Sequence, residues 1–192
     1  WEVFRSFLLW ELERSCSREK RRSLFDRGGL YYELREDYPH ALDCYIQGGD
    51  TFKVSEMLVR YAELHPGLGN YSALARYYRA LPDAQIAASP ALMQGMSMLC
   101  ALSMDYEASE RWYRELEQYA ARREHTDSAQ QQARSCLAWL DISLPQRDVT
   151  SLTKTIPAVY RLLQDRKLTL PAFSVTGSLP SVLNGGKDLS EW

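Results

Sequence analysis

Apolar residues recur along this chain at intervals of three and four, and strand-like alternation is nearly absent. That period lays the apolar residues along one face of a helix. It predicts helices at about 2–14, 20–36, 39–48, 51–65, 70–81, 89–103, 105–123, 127–142 and 148–167, good to a few residues at each end. Pro157 is a place where the last helix is expected to break or restart. Turn residues fall where helices should stop, at Gly48-Gly49-Asp50, Pro66-Gly67, Leu81-Pro82 and Pro145. Beyond Pro171 the chain is rich in Ser, Gly and Pro and loses its period, so residues 171–192 read as an extended connector.

The spacing also carries an internal repeat. With Phe25 as the first position, Gly28, Gly29 and Tyr32 follow in one helix, and Ala41 and Tyr45 in the next. A second copy runs Leu58, Tyr61, Ala62, His65, then Leu74 and Tyr78. A third runs Leu92, Gly95, Met96, Leu99, then Ala108 and Trp112. The starts lie 33 and 34 residues apart, the period and the large-small-large order of tetratricopeptide hairpins. Small residues belong where two helices cross, because a larger side chain would hold the backbones apart. Two small positions are missed: Leu74 stands between Ala73 and Ala75, and Met96 takes the slot beside Gly95. The expected fold is therefore all-α, with antiparallel helical hairpins stacked as a tetratricopeptide-like right-handed superhelix. The pattern fades after residue 124, so residues 125–170 are expected to form a divergent hairpin.

Composition narrows the function classes. Hydrophobic residues make up 45% and charged residues 25%, an ordinary globular mixture that argues against disorder. Net charge is −2, so no global basic excess holds a nucleic acid by its phosphates. The most apolar stretch, Ala91 to Met104, contains Gln94, Gly95, Ser97 and Ser103. It falls short of a membrane span and reads as a buried helix. Cys16, Cys44, Cys100 and Cys136 are far apart and form no CxxC pair. Buried reduced thiols in a cytoplasmic protein are expected. Trp1 opens inside an apolar helical pattern (Val3, Phe4, Phe7, Leu8, Leu12) and the chain stops soon after Gly185-Gly186, so it reads as a piece of a longer protein.

Candidate chemistry is sparse. His40, His65 and His125 lie in no HExxH and at no metal-ligand spacing. Gly185-Gly186-Lys187 lacks the first glycine and the hydroxyl of a phosphate loop, since Ser181 and Asp188 stand there. No catalytic or metal site is expected. Arg18, Lys20, Arg21 and Arg22 form a basic cluster diluted by Glu11, Glu13 and Glu19, read as a solvated helix face rather than a contact for nucleic acid or an acidic neighbour. Of the doublets Tyr31-Tyr32, Tyr77-Tyr78 and Trp112-Tyr113, one member each falls on a repeat position. Tyr31, Tyr77 and Tyr113 are left either to line a ligand-binding groove or to pack between neighbouring hairpins.

The run from Leu24 through Tyr32, Ala41-Leu42, Gly49-Asp50, Met57-Leu58, Tyr77-Tyr78-Arg79-Ala80-Leu81-Pro82 and Ser89-Pro90-Ala91-Leu92 resembles the large ATP-dependent LuxR-family transcriptional regulators of the maltose-activator type. These belong to the signal-transduction ATPases with numerous domains. The likeness covers about residues 1–124 and includes the closing Pro180–Asp188 segment. Gly28-Gly29 departs from it, since relatives more often carry alanine or serine. The resemblance implies an ATPase domain, a winged-helix segment, a helical superhelix and a C-terminal helix-turn-helix. This chain would hold the end of the winged-helix region (1–16), the repeats (17–124), the divergent hairpin (125–170) and the connector (171–192). The superhelix would bind a small-molecule inducer or a protein partner and help self-association. ATP and DNA would belong to the missing parts, with no cofactor in this segment and no membrane contact. A general tetratricopeptide adaptor that docks a peptide or protein partner is the second expectation; an all-helical enzyme is the third, and no constellation supports it.

Overall fold

The computed structural model describes residues 2–64, 71–122 and 126–164. Ten helices follow one another: α1 Glu2–Ser15, α2 Arg18–Glu33, α3 Tyr38–Gly48, α4 Thr51–Leu64, α5 Tyr71–Ala80, α6 Asp83–Ala87, α7 Pro90–Leu102, α8 Tyr106–Ala121, α9 Asp127–Ser143 and α10 Val149–Gln164. Among the described residues there is no strand, and the protein is all-α. The expected connector at 171–192, Gly185-Gly186-Lys187, His65 and His125 lie outside the described residues.

Local chemistry sets where these helices begin. Ser17, Asp37, Asp50, Ser89, Asp105 and Thr126 each accept a hydrogen bond from the backbone N–H three residues on, at 3.0–3.5 Å. Each cap satisfies a donor that the first helical turn leaves without a partner. Asp50 serves two helices. Its N–H reaches back to the Tyr45 carbonyl at 2.9 Å to close α3, and its side chain opens α4. Gly49 supplies the left-handed residue of that α3 end, with φ +74°.

Two elements differ from the expectation. Helix α6 has no counterpart among the periodic segments: Leu81-Pro82 stops α5, but proline suits a helix start, and Pro82 stands as the N-cap of α6. Helix α10 runs through Pro157 instead of breaking there. Proline has no N–H for the Thr153 carbonyl, and both residues are exposed, so the helix carries this proline where the unpaired carbonyl is least costly.

The chain divides into two compact units, Trp1–Met57 and Leu58–Trp192, with the division inside α4. In the first unit α2 packs on α3, and α1 on α2. Gly29 lies so close to α3 that a Cβ there would stand 2.5 Å from the Tyr45 ring. Ala41 is fully buried in sequence register with Leu42 and Tyr45. Of the first repeat copy, Gly29, Ala41 and Tyr45 are thus buried, while Phe25, Gly28 and Tyr32 are half-buried. Outside this packing, α1 leaves Val3, Phe4, Phe7, Leu8 and Trp10 exposed.

In the second unit α7 packs on α8 and α9, α8 on α9, α9 on α10, and α5 and α6 on α7. As expected, the apolar stretch from Ala91 forms an interior helix: α7 buries Leu92, Met93, Met98 and Leu99 and ends at Leu102, leaving Ser103 and Met104 exposed beyond it. The third repeat copy needs a correction of one residue. Met96 and Ala108, the expected small slots, are half-buried. Ser97 and Ser109 are fully buried instead, and the Ser97 hydroxyl donates to the Ser109 carbonyl at 3.0 Å. The turns explain the slip. Glu36 and Met104 both adopt a left-handed backbone (φ 60° and 62°), and each precedes a capping aspartate, Asp37 or Asp105. Asp37 and Asp105 are 68 residues apart, twice 34, so Gly29 matches Ser97 and Ala41 matches Ser109. Gly95 is thereby freed to meet α5 instead. Its missing side chain makes room for the Tyr78 ring, whose nearest carbon would lie 2.6 Å from a Cβ. In the second copy Leu74 and Ala75 are half-buried, while the side chains of Tyr61, Ala62 and Ala73 lie outside the described residues.

Candidate functional site

Tyr31, in the first unit, is 50% exposed; its ring meets Tyr32 edge-on at 5.4 Å, and the Arg35 guanidinium lies over it at 4.5 Å. Tyr77, in the second unit, is 2% exposed with Arg76 stacked on it at 4.6 Å, so it takes the packing place among the two open to it. Tyr113 is half-buried. Its hydroxyl donates to Asp141 at 2.6 Å, and Arg147 covers its ring at 4.7 Å. Of the three, Tyr31 and Tyr113 present ring surface, and each carries an arginine on one face, an arrangement that the sequence pattern did not disclose.

Around Tyr113 the structure assembles groups that carry no periodic signal. Arg147 pairs with Glu110 at 2.7 Å, with both side chains largely shielded. The Gln146 side-chain amide donates to Glu110 and to the Ser109 hydroxyl, each at 3.1 Å. The Ser97–Ser109 crossing thus continues into a polar network that ties α8 to the residues between α9 and α10. Burial raises the Tyr113 phenol above its ordinary range, and the hydrogen bond to Asp141 adds to this. Hydrogen bonds of this kind between α8 and the residues that follow α9 rigidify a hairpin junction, although the buried Gln146 Oε1 has no partner among the described residues.

His40, at the start of α3, is exposed; its Nδ1 lies 2.8 Å from Asp37 and its ring stacks on Tyr32 at 5.1 Å. It supports the cap of α3. All four cysteines are free, yet only Cys136 is buried; Cys16, Cys44 and Cys100 are half-buried, which corrects the expectation of four interior thiols. Burial pushes the Cys136 thiol up to about 12, so it is unreactive at neutral pH.

A cleft of about 350 Å3 opens in the first unit, lined by Leu9, Leu12 and Glu13 of α1, Arg18, Arg21, Arg22 and Phe25 of α2, and the α3 end at Gln47–Gly49. The helical spacing 18, 21, 22, 25 places the three arginines and Phe25 on one face of α2. The basic cluster is divided: Arg18, Arg21 and Arg22 line the cleft and Lys20 does not, while Arg18, Lys20 and Arg22 are exposed, as a solvated helix face requires, and Arg21 is half-buried. Arg22 has Asp26 at 3.9 Å and Asp50 at 4.0 Å.

No helix among the described residues is long and apolar enough to cross a membrane. No protein-family model, curated protein or solved structure matches the chain.

Proposed function

We propose that this chain is the sensor and interaction segment of a LuxR-type, ATP-dependent transcriptional regulator, built from tetratricopeptide-like hairpins wound as a right-handed superhelix. The observation that carries the reading is the recurring hairpin turn. Glu36-Asp37 and Met104-Asp105 lie 68 residues apart, and each joins two helices that cross at buried small residues. Twice 34 is the interval that alternate hairpins of such an array require. On this reading residues 17–124 are the repeats, 125–170 a divergent hairpin, and 1–16 the end of a winged-helix region.

The mechanism is a shift of population. An inducer or protein partner binds one arrangement of the hairpins in preference, using ring surface such as that of Tyr31 in the first unit or, separately, of Tyr113 in the second, and self-association follows. The segment itself catalyses nothing and works in the cytoplasm. ATP turnover and DNA reading belong to other domains of the full protein. Reading the flanking frame tests this directly: a Walker A motif upstream and a helix-turn-helix downstream support it, and the absence of both sinks it. Hydrogen exchange adds a functional arm. An inducer should protect groove helices, and unchanged exchange across a broad metabolite set counts against the sensor role.

A second reading, a tetratricopeptide adaptor docking a protein partner, is favoured by the exposed Val3, Phe4, Phe7, Leu8 and Trp10 of α1. It is what survives if the flanking frame lacks both motifs.

A further inference from the structure

The α1–α2–α3 cleft brings three guanidinium groups to one apolar-floored space, a feature that neither functional reading uses. We propose that it is a binding site for a small organic anion, a phosphate or carboxylate group attached to a compact apolar body. Such a site goes beyond the regulator reading and stands or falls separately from it.

The positive charge of the lining is only partly compensated. Arg18 and Arg21 line the cleft, and among the described residues neither makes an ion pair; Arg22 is held at its edge by Asp26 and Asp50. Like charges at i,i+3 and i,i+4 repel along a helix, and an anion between them relieves that repulsion. Arg18 is also the first residue of α2, at the positive end of the helix dipole. Guanidinium forks fit carboxylate and phosphate oxygens two at a time, which fixes the headgroup class.

The rest of the lining selects the body. Leu9, Leu12 and Phe25 are half-buried and give an apolar floor. At Gly49 nothing lies within 4 Å of where a Cβ would stand, so this lining residue borders open space. A volume of about 350 Å3 suits a ligand of roughly metabolite size, at the small end of such pockets. Glu13 is the only carboxylate among the lining residues, and it opposes the anion.

The test is calorimetric titration of the full chain at fixed ionic strength with four probes: phenyl phosphate, phenylacetate, inorganic phosphate and benzyl alcohol. At least one aromatic anion should bind saturably at one site, and the tighter of the two names the headgroup. Inorganic phosphate, lacking the body, and benzyl alcohol, lacking the charge, should each bind about tenfold more weakly or worse. The variant Arg18→Gln/Arg21→Gln should weaken the aromatic anion about tenfold or more, and Glu13→Gln should tighten it about two- to threefold. The opposite directions separate a site from general damage, and circular dichroism checks that both variants keep their helices. Saturable binding by neither aromatic anion, unchanged binding in the double variant, or inorganic phosphate binding as tightly as the aromatic anion would overturn the proposal.

Discussion

At the scale of single residues, two adjacent glycines in one helix have different roles. A Cβ at Gly29 would meet three atoms of the Tyr45 ring at 2.5–2.8 Å, whereas at Gly28 it would meet only the Cys44 sulfur at 3.3 Å. The Tyr45 ring cannot swing clear, because it is buried and its hydroxyl donates to Glu33 at 2.9 Å. Gly29→Ala is therefore expected to lose about 1–3 kcal/mol despite the gain in helix propensity. Gly28→Ala should stay within about 1 kcal/mol of the parent, since that gain of roughly 0.5–1 kcal/mol offsets a small shift of Cys44. Urea denaturation of both variants checks this, and equal losses would contradict the close contact. Tyr113→Phe should lose about 1 kcal/mol through the bond to Asp141, a value that chemical denaturation resolves. The sequence marks both glycines as candidates for close packing; only the place of the Tyr45 ring says which one is indispensable.

At the scale of elements, the helices are largely legible in the sequence and the turns are not. Nine of the ten helices fall within a few residues of the apolar period, because burying one face is a local pattern of three and four. Helix α6 escapes because five residues are too few to show a period. The turns at Glu36 and Met104 hold side chains in a backbone region that suits glycine. Glu36→Gly and Met104→Gly should each stabilise the protein by about 0.5–1 kcal/mol, by relief of that strain. Gly49→Ala, at φ +74°, should cost about 1–2 kcal/mol, although open space surrounds the added methyl. Thermal unfolding of the three variants decides: a stabilised Gly49→Ala, or destabilised glycine variants, would place the control of these turns elsewhere.

At the scale of the whole molecule, several acids are buried in their neutral forms. Burial raises the Cys136 thiol from 9.0 to about 12 and also raises Cys100, Tyr45, Tyr78 and Tyr113. The folded chain thus keeps protons that the unfolded chain releases, so stability falls as pH rises. The thiols contribute first, from about pH 9, and the phenols join from about pH 10, with a slope of at most ~1.4 kcal/mol per pH unit for each group. Melting temperature measured from pH 7 to pH 11 should stay level at first and then drop. Cys136→Ala should flatten the part of the curve between pH 9 and pH 10. A drop that the variant leaves unchanged would remove the thiol from the account.

The sequence by itself determined that this chain is helical, roughly where its helices lie, and which small residues of the first hairpin are candidates for its crossing. Those follow from periods and neighbours a few residues apart. Tertiary structure alone decided the register of the third repeat, the burial of Tyr77, the network around Tyr113 and the division of the basic cluster around a cleft. One residue of slip turns a helix by about 100°, which changes what faces a partner while leaving the period intact. What stands opposite a side chain comes from another helix, often dozens of residues away, as Asp141 does for Tyr113 and Gly49 for the arginines of α2.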